Sequence, residues 1–255
     1  MSAKTDHFHT QHQSLGENDF TRTRWWWVRH APVRSSGGRI YGQSDIDCDT
    51  GDAFAYDALA RILPRGAVWL TSHLQRTTLT ADAIWRSPHW DEPSRATQIR
   101  AFAEQDLGVW QGMDRASFMK GRVAEPGSYW FGPAEEKPEG GESFVDLVDR
   151  VRPAIAEQTR AHVGRDIVAV AHGGSIRAAI AVALNLSPQA VLAFGIENCA
   201  LTRLDHYKGA NGEGWRVVMI NHQPWSAGHG SIHLQQPSGP ETREPAPDET
   251  LGVQA

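Results

Sequence analysis

The sequence has little of what a disulfide framework, a membrane span or an exported protein requires. Its 255 residues include two cysteines, Cys48 and Cys199, which lie far apart and form no CxxC pair. This spacing favours neither a disulfide framework nor a thiolate metal site. No apolar run approaches the length of about 18 residues that a membrane helix needs, and the polar, His-rich N-terminus has no apolar core segment. We therefore expect a cytoplasmic protein with no membrane partner.

Positive charge is also scarce. The formal net charge is -5 at pH 7, and no long run of Lys or Arg occurs. Proteins that bind nucleic acid or anionic membranes usually carry a concentrated basic stretch. We expect no nucleic-acid partner, and any positive charge that matters for function must be local.

Predicted strands and helices alternate along the middle of the chain. The WWWV run of residues 25–28 is typical of a strand buried on both faces. Apolar spacing predicts further strands over 68–71, 166–171, 199–204 and 215–221, and helices over 52–63, 72–86, 142–161 and 176–184. Ser72 is a plausible N-cap for the second helix. The alternation predicts an α/β three-layer sandwich with a mostly parallel central sheet flanked by helices.

One catalytic domain accounts for most of the length. We assign it to residues 24–223, a common size for a single domain. Residues 1–23 and the Pro/Glu/Gln/Gly-rich residues 224–255 are interpreted as disordered tails. The weakly periodic stretch 115–138 predicts an irregular insertion, which could form a lid or support a homodimer through its aromatic residues Trp130 and Phe131.

Polar groups with the chemistry of phosphate binding follow three predicted strands. The first strand ends at Arg29-His30, Ser72-x-x-x-Arg76 follows the second, and His172-Gly173-Gly174 follows the third. In an open α/β sheet, ligands bind outside the carboxyl ends of the strands. Arginine forks bind phosphate oxygens, and the backbone N–H groups of a helix N-terminus, such as that of Gly173, do the same. The sequence therefore predicts a phosphoryl-transfer site.

The residue types also suggest a mechanism. A neutral imidazole can attack phosphorus and form a phosphohistidine that water later cleaves, and His30 is our candidate nucleophile. The leaving alkoxide needs a proton from a carboxylic acid, for which Glu104 is the first candidate and Asp106 the second. Fixed cations and the second imidazole, His172, can stabilise the equatorial oxygens, so we expect neither a metal nor a cofactor.

Three other hypotheses remain open. A zinc hydrolase built on His30, His172 and a carboxylate would leave both arginines unexplained. A non-catalytic sensor of a phosphorylated ligand would need neither a nucleophile nor a proton donor. A mutase would depend on a bisphosphorylated primer. No Gly-rich segment has the spacing of a nucleotide-binding motif.

Five short motifs, taken in order, resemble the histidine phosphatase superfamily in its phosphoglycerate-mutase-like branch, from about Arg24 to Asn221. They are Val28-Arg29-His30, Ser72-His-Leu-Gln-Arg76-Thr77, Glu104-Gln-Asp-Leu-Gly-Val-Trp-Gln-Gly112, Gly140-Gly-Glu-Ser143 and Ala171-His172-Gly-Gly-Ser175. The resemblance implies that His30 is phosphorylated and that Glu104 donates the proton. It also implies a phosphate pocket completed by Arg29, Arg76 and His172. Glu142, in the Gly-Glu-Ser segment, is either a helix N-terminal carboxylate or a substrate contact.

The chain departs from the mutases of that family in ways that favour hydrolysis. Mutases carry Arg-His-Gly-Glu-Ser where this chain has Arg29-His30-Ala31-Pro32-Val33, and Asn in His-Gly-Asn-Ser where it has Gly174. The substituted groups are ones expected to hold a phosphoglycerate.

The substrate loop carries a second, shorter resemblance. Residues 40–45 (Ile-Tyr-Gly-Gln-Ser-Asp) look like the loop of α-ribazole phosphatases, which makes α-ribazole 5'-phosphate a candidate substrate. The expected small-molecule phosphomonoester would meet this loop through Arg34, Arg39, Tyr41 and Gln43.

Overall fold

A six-stranded sheet with helices on both faces organises the chain. The computed structural model describes residues 20–33, 36–92, 94–122 and 131–225. The strands are β1 (Phe20–Arg29), β2 (Val68–Thr71), β3 (Ala96–Gln98), β4 (Asp166–Ala171), β5 (Leu201–Gly209) and β6 (Gly212–His222). Their order is β3-β2-β4-β1-β5-β6; the first four run parallel to one another, and β5 pairs antiparallel with both β1 and β6. The predicted mostly parallel sheet flanked by helices is confirmed.

The helices are α1 (Ala53–Ile62), α2 (Gln75–Trp85), α3 (Arg115–Lys120), α4 (Phe144–Ala161), α5 (Gly173–Leu184) and α6 (Pro188–Val191). Short 3-10 turns lie at Arg100–Phe102 and Gly108–Trp110. Helix α4 begins with a capping box in which Ser143 and Asp146 satisfy each other's backbone amides. Among the helices of the described residues, none is long and apolar enough to cross a membrane.

The run of three tryptophans is explained by burial on both faces of β1. Trp25 and Trp27 stack with ring centroids 5.1 Å apart and pack with Phe102 in the core beneath α4 and α5. Trp26 and Val28 point to the opposite face, into the core formed with α1 and α2. Because successive side chains of a strand alternate between faces, a strand in the middle of a three-layer sandwich is apolar at every position.

Order in the described chain begins earlier than the sequence predicted. Strand β1 starts at Phe20, four residues before the expected Arg24, and Phe20–Thr23 pairs antiparallel with the end of β5. The polar Phe-Thr-Arg-Thr segment lacks an apolar run, so the prediction missed that the β5–β6 hairpin provides its partner. Residues 1–19 and 226–255, which hold most of both predicted tails, lie outside the described residues, as do Arg34 and Trp130.

Two further differences concern local elements. Strand β3 was missed because it is three residues long and two of those residues are polar. Helix α2 begins at Gln75 with Leu74 as its N-cap, so the predicted N-cap role of Ser72 is wrong. Ser72 lies instead at the carboxyl end of β2, where its hydroxyl faces a histidine.

Candidate active site

His30 lies just past the carboxyl end of β1, between the ends of both neighbouring strands. Its backbone N–H donates to Ala171 O at 2.9 Å on the β4 side, and Asn198 Nδ2 donates to His30 O at 2.7 Å on the β5 side. The side chain is 1% exposed. Asn198, which sequence reasoning missed, therefore helps to fix the backbone of the candidate nucleophile.

The ring of His30 has one defined tautomer. Nδ1 lies 2.7 Å from Ala31 O, a group that only accepts, so Nδ1 carries the proton and Nε2 the lone pair. Nε2 is buried and has no hydrogen-bond partner among the described residues. Burial holds the pKa of His30 well below its usual value, and the nearby Arg29 and Arg76 lower it further. The result is a neutral imidazole with a free lone pair, which is the form a nucleophile requires.

His172 follows β4 and lies beside His30, with ring centroids 5.1 Å apart. Arg76 Nε donates to His172 Nδ1 at 3.2 Å, so Nε2 carries the proton and donates to Ser72 Oγ at 2.7 Å. Burial, followed by Arg76 and His30, lowers the pKa of His172 well below its usual value. The second imidazole is therefore also neutral and is held by two polar neighbours.

Two arginines place positive charge beside this pair. Arg76 is fully buried, and its terminal nitrogens donate to Ser44 O at 2.9 Å and to Gly42 O at 2.7 Å. Arg29 donates through Nη1 to Ile196 O, whereas its buried Nε has no partner among the described residues. Burial lowers the pKa of Arg76. An arginine donor that is buried and unpartnered next to a free imidazole is suited to an incoming anion.

Glu104 lies at the N-terminus of α5, close to the glycines that follow His172. Its Oε1 accepts from Gln105 N at 2.9 Å and from Gly174 N at 3.0 Å. A Cβ atom at position 174 would lie 2.2 Å from that oxygen, so only glycine allows the carboxylate to approach so closely. Gly174, which replaces the Asn of the mutase pattern, therefore makes room for the Glu104 carboxylate.

A salt bridge behind the site holds the segment that carries Glu104. Arg150 pairs with Glu142 at 2.6 Å and donates to Ala103 O and Glu104 O at 3.1 and 2.8 Å. The Glu142 carboxylate also accepts from Asp106 N at 2.9 Å. Of the two roles considered for Glu142, these contacts match that of a structural carboxylate and leave it paired within the protein.

Of the loop residues predicted to contact the substrate, two line the cleft and one contacts the protein backbone instead. Arg39 and Tyr41 line a cleft that Arg29, Glu104 and Gly173 also line, and the Arg76 guanidinium lies 5.2 Å from the centre of the Tyr41 ring. Gln43 instead donates from Nε2 to Glu104 O at 2.9 Å. Arg34 lies outside the described residues.

The cleft has a volume of about 170 Å³ and reaches from Arg29 and Glu104 to the α3 region. Two of its cations were missed by sequence reasoning, Arg115 and Arg177. Arg177 lies four residues after Gly173, which begins α5, and therefore on the same face of the helix, so the helical spacing was a usable signal. Arg115 lay within a stretch interpreted only as an irregular insertion, and nothing in its local sequence marked it.

The model of one protein family matches residues 25–223, and that family is the histidine phosphatase superfamily, branch 1. The chain belongs to this superfamily. The match covers the whole sheet except the start of β1, together with every residue of the site described above.

Known members of the superfamily similar to this chain include both phosphatases and mutases. A glucosyl-3-phosphoglycerate phosphatase of Mycolicibacterium vanbaalenii is 34% identical over 170 residues, which are 62% of this chain and 73% of the relative. A 2,3-bisphosphoglycerate-dependent phosphoglycerate mutase of Nitrobacter winogradskyi is 30% identical over 174 residues, 65% and 83% of the two chains. The similarity of the chain therefore extends to members of the superfamily with both activities.

Solved structures agree on the fold. The native structure of a mycobacterial glucosyl-3-phosphoglycerate phosphatase has a TM-score of 0.65 and 26% identity, and the match covers 79% of this chain and 99% of that one. The α-ribazole phosphatase of Shigella flexneri has a TM-score of 0.62 at 21% identity, with 78% and 96% covered. At that identity the second structure supports the fold alone.

Within the described part of the chain, no three His, Cys, Asp or Glu side chains lie together so that they could hold a metal ion. The nearby cations are arginines instead. Arg29 and Arg76 are the groups whose charge lowers the pKa of His30 in addition to burial.

The two neutral histidines make the stability of the protein depend on pH. Both have pKa values lowered in the folded state, so the unfolded chain takes up protons first as pH falls through about 6.5. The free energy of unfolding should therefore decrease below that pH, and each histidine should contribute up to about 1.4 kcal/mol per pH unit. Urea unfolding of wild type and His30→Gln between pH 5 and 7.5 tests this. Equal pH slopes for the two proteins would contradict it.

The close approach at position 174 gives a second expected result. Gly174→Ala should displace the Glu104 carboxylate, because its methyl group would otherwise lie 2.2 Å from Oε1. We expect kcat for alkyl phosphates to fall by about 10-fold to 100-fold, in line with partial loss of a positioned acid. Kinetics on an alkyl phosphate, with the melting temperature recorded in parallel, measures the effect. Unchanged kcat in a folded variant would show that Glu104 tolerates the displacement.

Proposed function

We propose that the chain is a metal-independent phosphomonoesterase that acts on a small phosphorylated metabolite through a phosphohistidine at His30. The observation that carries the proposal is that two buried nitrogens, His30 Nε2 and Arg29 Nε, have no hydrogen-bond partner among the residues that the structure describes. A buried polar atom without a partner is costly, and such atoms are expected where a ligand supplies the missing contact.

The proposed reaction has two displacements. His30 Nε2 attacks phosphorus and the bond to the substrate oxygen breaks, while Glu104 transfers a proton to that oxygen. Water then attacks the phosphohistidine and gives up a proton to the same carboxylate, which releases inorganic phosphate and restores the neutral imidazole. Arg29 and Arg76 stabilise the phosphoryl oxygens in both steps, with His172 and the backbone N–H of Gly173 beside them.

Hydrolysis is favoured over phosphoryl transfer to a second substrate by the same residues that set the chain apart from mutases. Ala31 and Pro32 follow the nucleophile and offer no polar side chain to hold a phosphoglycerate. Gly174 offers none either, and its missing Cβ makes room for Glu104. Mutase activity, supported by the 30% identical relative, stays the second candidate.

Two substrates deserve first trial. The short loop resemblance points to α-ribazole 5'-phosphate, whereas the relative with 34% identity is named for glucosyl-3-phosphoglycerate. The cavity of about 170 Å³ is smaller than the 300–1,000 Å³ usual for drug-sized ligands. A cleft of this size can enclose the phosphorylated end of either compound rather than the whole molecule.

Phosphate release across a panel of phosphomonoesters, with a chelator present throughout, tests the proposal. The panel contains p-nitrophenyl phosphate, α-ribazole 5'-phosphate, glucosyl-3-phosphoglycerate and 3-phosphoglycerate. Release that is undiminished by the chelator supports the metal-independent phosphatase and ranks its substrates. Conversion of 3-phosphoglycerate only with a bisphosphorylated primer would support the mutase, and binding without turnover would support a sensor.

A further inference from the structure

A second cavity lies at the other end of the sheet from the active site. It borders the first residues of β1, whereas His30 follows the last residue of that strand. Its volume is about 460 Å³, against about 170 Å³ for the active-site cleft, and the two have no lining residue in common. Sites for small molecules usually have volumes of roughly 300–1,000 Å³. The second cavity therefore has the size of a ligand site and no part in the proposed phosphatase reaction.

The floor of this cavity is the part of the sheet that extends beyond β4. Strand β1 pairs with β4 only from Arg24 onward, so its first four residues pair with β5 alone. Two rows of cross-strand neighbours from β1, β5 and β6 line the cavity; they are Thr23, His206 and Trp215 in one row and Thr21, Lys208 and Glu213 in the other. Regular pairing thus holds the floor in a defined shape.

The interior of the cavity is mostly apolar. Its walls come from α4, the residues after α4, and α5; the apolar ones are Ile155, Ala156, Val163 and Val182. On the floor, the rings of His206 and Trp215 meet edge to face, with centroids 4.8 Å apart. Burial lowers the pKa of His206, so this ring is neutral near pH 7. Apolar walls beside two rings suit an aromatic group.

Two threonine hydroxyls in the lining already accept hydrogen bonds from the protein. Thr23 Oγ1 accepts from Gly164 N at 3.0 Å, and Thr159 Oγ1 accepts from Trp25 Nε1 at 3.0 Å. These bonds fix the end of α4 and the residues after it to β1. Polar recognition of a ligand therefore depends mainly on the charged side chains at the edge of the cavity.

Three exposed cations, Arg152, Arg160 and Lys208, form this charged edge. None of them is in an ion pair with a carboxylate of the described residues. Within the same part of the chain, Glu213 is the single carboxylate that lines the cavity, and its Oε2 lies 3.7 Å from His206 Nε2. The whole chain has a formal net charge of -5. A local excess of positive charge in an acidic protein is complementary to an anion.

We propose that this cavity binds a small aromatic carboxylate, with the ring against Trp215 and the apolar walls and the carboxylate at the cationic edge. A free phosphate would leave the apolar walls without a partner, and a neutral hydrocarbon would leave the three cations unpaired. A molecule with one ring system and one negative charge matches both parts of the cavity. The inference is independent of the proposed function, because it uses none of the residues around His30.

Three related compounds separate the contributions of the ring and of the charge. Naphthylacetate has both, naphthylacetamide lacks the charge, and acetate lacks the ring. Isothermal titration of the full chain should show that naphthylacetate binds at least about tenfold more tightly than the amide, as one charge-assisted hydrogen bond would give. Acetate should bind more weakly than either, because it buries no ring. Equal affinity for acid and amide, or no binding of either, would overturn the proposal.

Substitutions on the lining test the position of the ligand. Arg160→Gln and Lys208→Gln should each lower the ratio of the two affinities severalfold, and Trp215→Leu should weaken the acid and the amide alike. Arg216→Gln is the matched control, since Arg216 is an exposed neighbour of Trp215 on β6 that does not line the cavity. An equal loss in Arg216→Gln would reduce the preference to overall charge and refute the site. Melting temperatures without ligand confirm that each variant is folded.

Binding in the active-site cleft must be distinguished, because that cleft also contains arginines. Arg39 is exposed and lines the cleft, so Arg39→Gln should leave the affinity for naphthylacetate unchanged. Loss of binding in Arg39→Gln but not in Lys208→Gln would place the acid in the cleft and refute the second site, even in an active phosphatase. Binding that Lys208→Gln weakens and Arg39→Gln does not would support the second site, even if the wild type released no phosphate.

Discussion

Replacement of His30 by alanine is expected to reduce kcat/KM for every phosphomonoester by about 10⁵-fold or more, the scale seen when a covalent nucleophile is removed. Of the two imidazoles that the structure describes side by side at the site, His30 has the free lone pair, at Nε2, because both nitrogens of His172 are engaged by Arg76 and Ser72. Rapid acid-free quenching with labelled substrate should trap a phosphohistidine in the wild type and none in His30→Ala.

The control for this experiment is another histidine of the same chain. His162 caps the end of α4 on the side of the sheet away from the cleft, so His162→Ala should keep both the label and the turnover. His30→Gln, which conserves side-chain volume better, guards against loss of folding. If both His30 variants still became labelled, another residue would carry the phosphoryl group, and His30 would not be the nucleophile.

Glu104→Gln should have an effect that depends on the leaving group. Alkyl phosphates leave as strongly basic alkoxides, and we expect their kcat to fall by about 10²-fold to 10⁴-fold without the acid. p-Nitrophenolate leaves without protonation, so formation of the phosphohistidine from p-nitrophenyl phosphate should be much less affected. A stopped-flow comparison of the first turnover with both substrates measures the difference.

Asp106 provides the matched comparison, since the sequence left it as the second candidate for the acid. Its Oδ1 accepts from Gly108 N at 3.0 Å, which is a local turn contact, and its side chain is not among those lining the cleft. Asp106→Asn should therefore leave the leaving-group dependence unchanged. If Asp106→Asn showed the dependence on the leaving group and Glu104→Gln did not, Asp106 would be the proton donor instead of Glu104.

The residues that meet at the site could be found from the sequence because their positions follow from the fold. Two parallel strands that are direct neighbours in the sheet lead into Arg29-His30 and His172. Once these strands were predicted from the sequence, their ends could be expected to lie close together. Arg76 was found in the same way, on the first turn of the helix after β2. Strong apolar runs fixed these strands, and strand ends are where such a sheet binds ligands.

The features that sequence reasoning missed depend on contacts between distant segments. Ser72 looked like a helix cap because the bond to His172 Nε2 spans 100 residues. The need for glycine at position 174 depends on a carboxylate 70 residues away. Arg115 gains its position from backbone pairing with the loop at Gly38, and no periodicity records such pairing. The local sequence pattern reports on residues that are close along the chain, and it contains no information on contacts between distant segments.

Because β1 lies in the middle of the sheet, the stability of the active site depends on the stability of the whole fold. Arg29 N donates to Ala200 O and His30 N to Ala171 O, so the nucleophile and its neighbouring cation are anchored on both sides. An opening that frees them must separate β1 from two strands at once, which costs nearly as much as global unfolding. Mutations in the distant core should therefore lower activity by reducing the population of folded molecules, while each molecule that remains folded keeps its full rate.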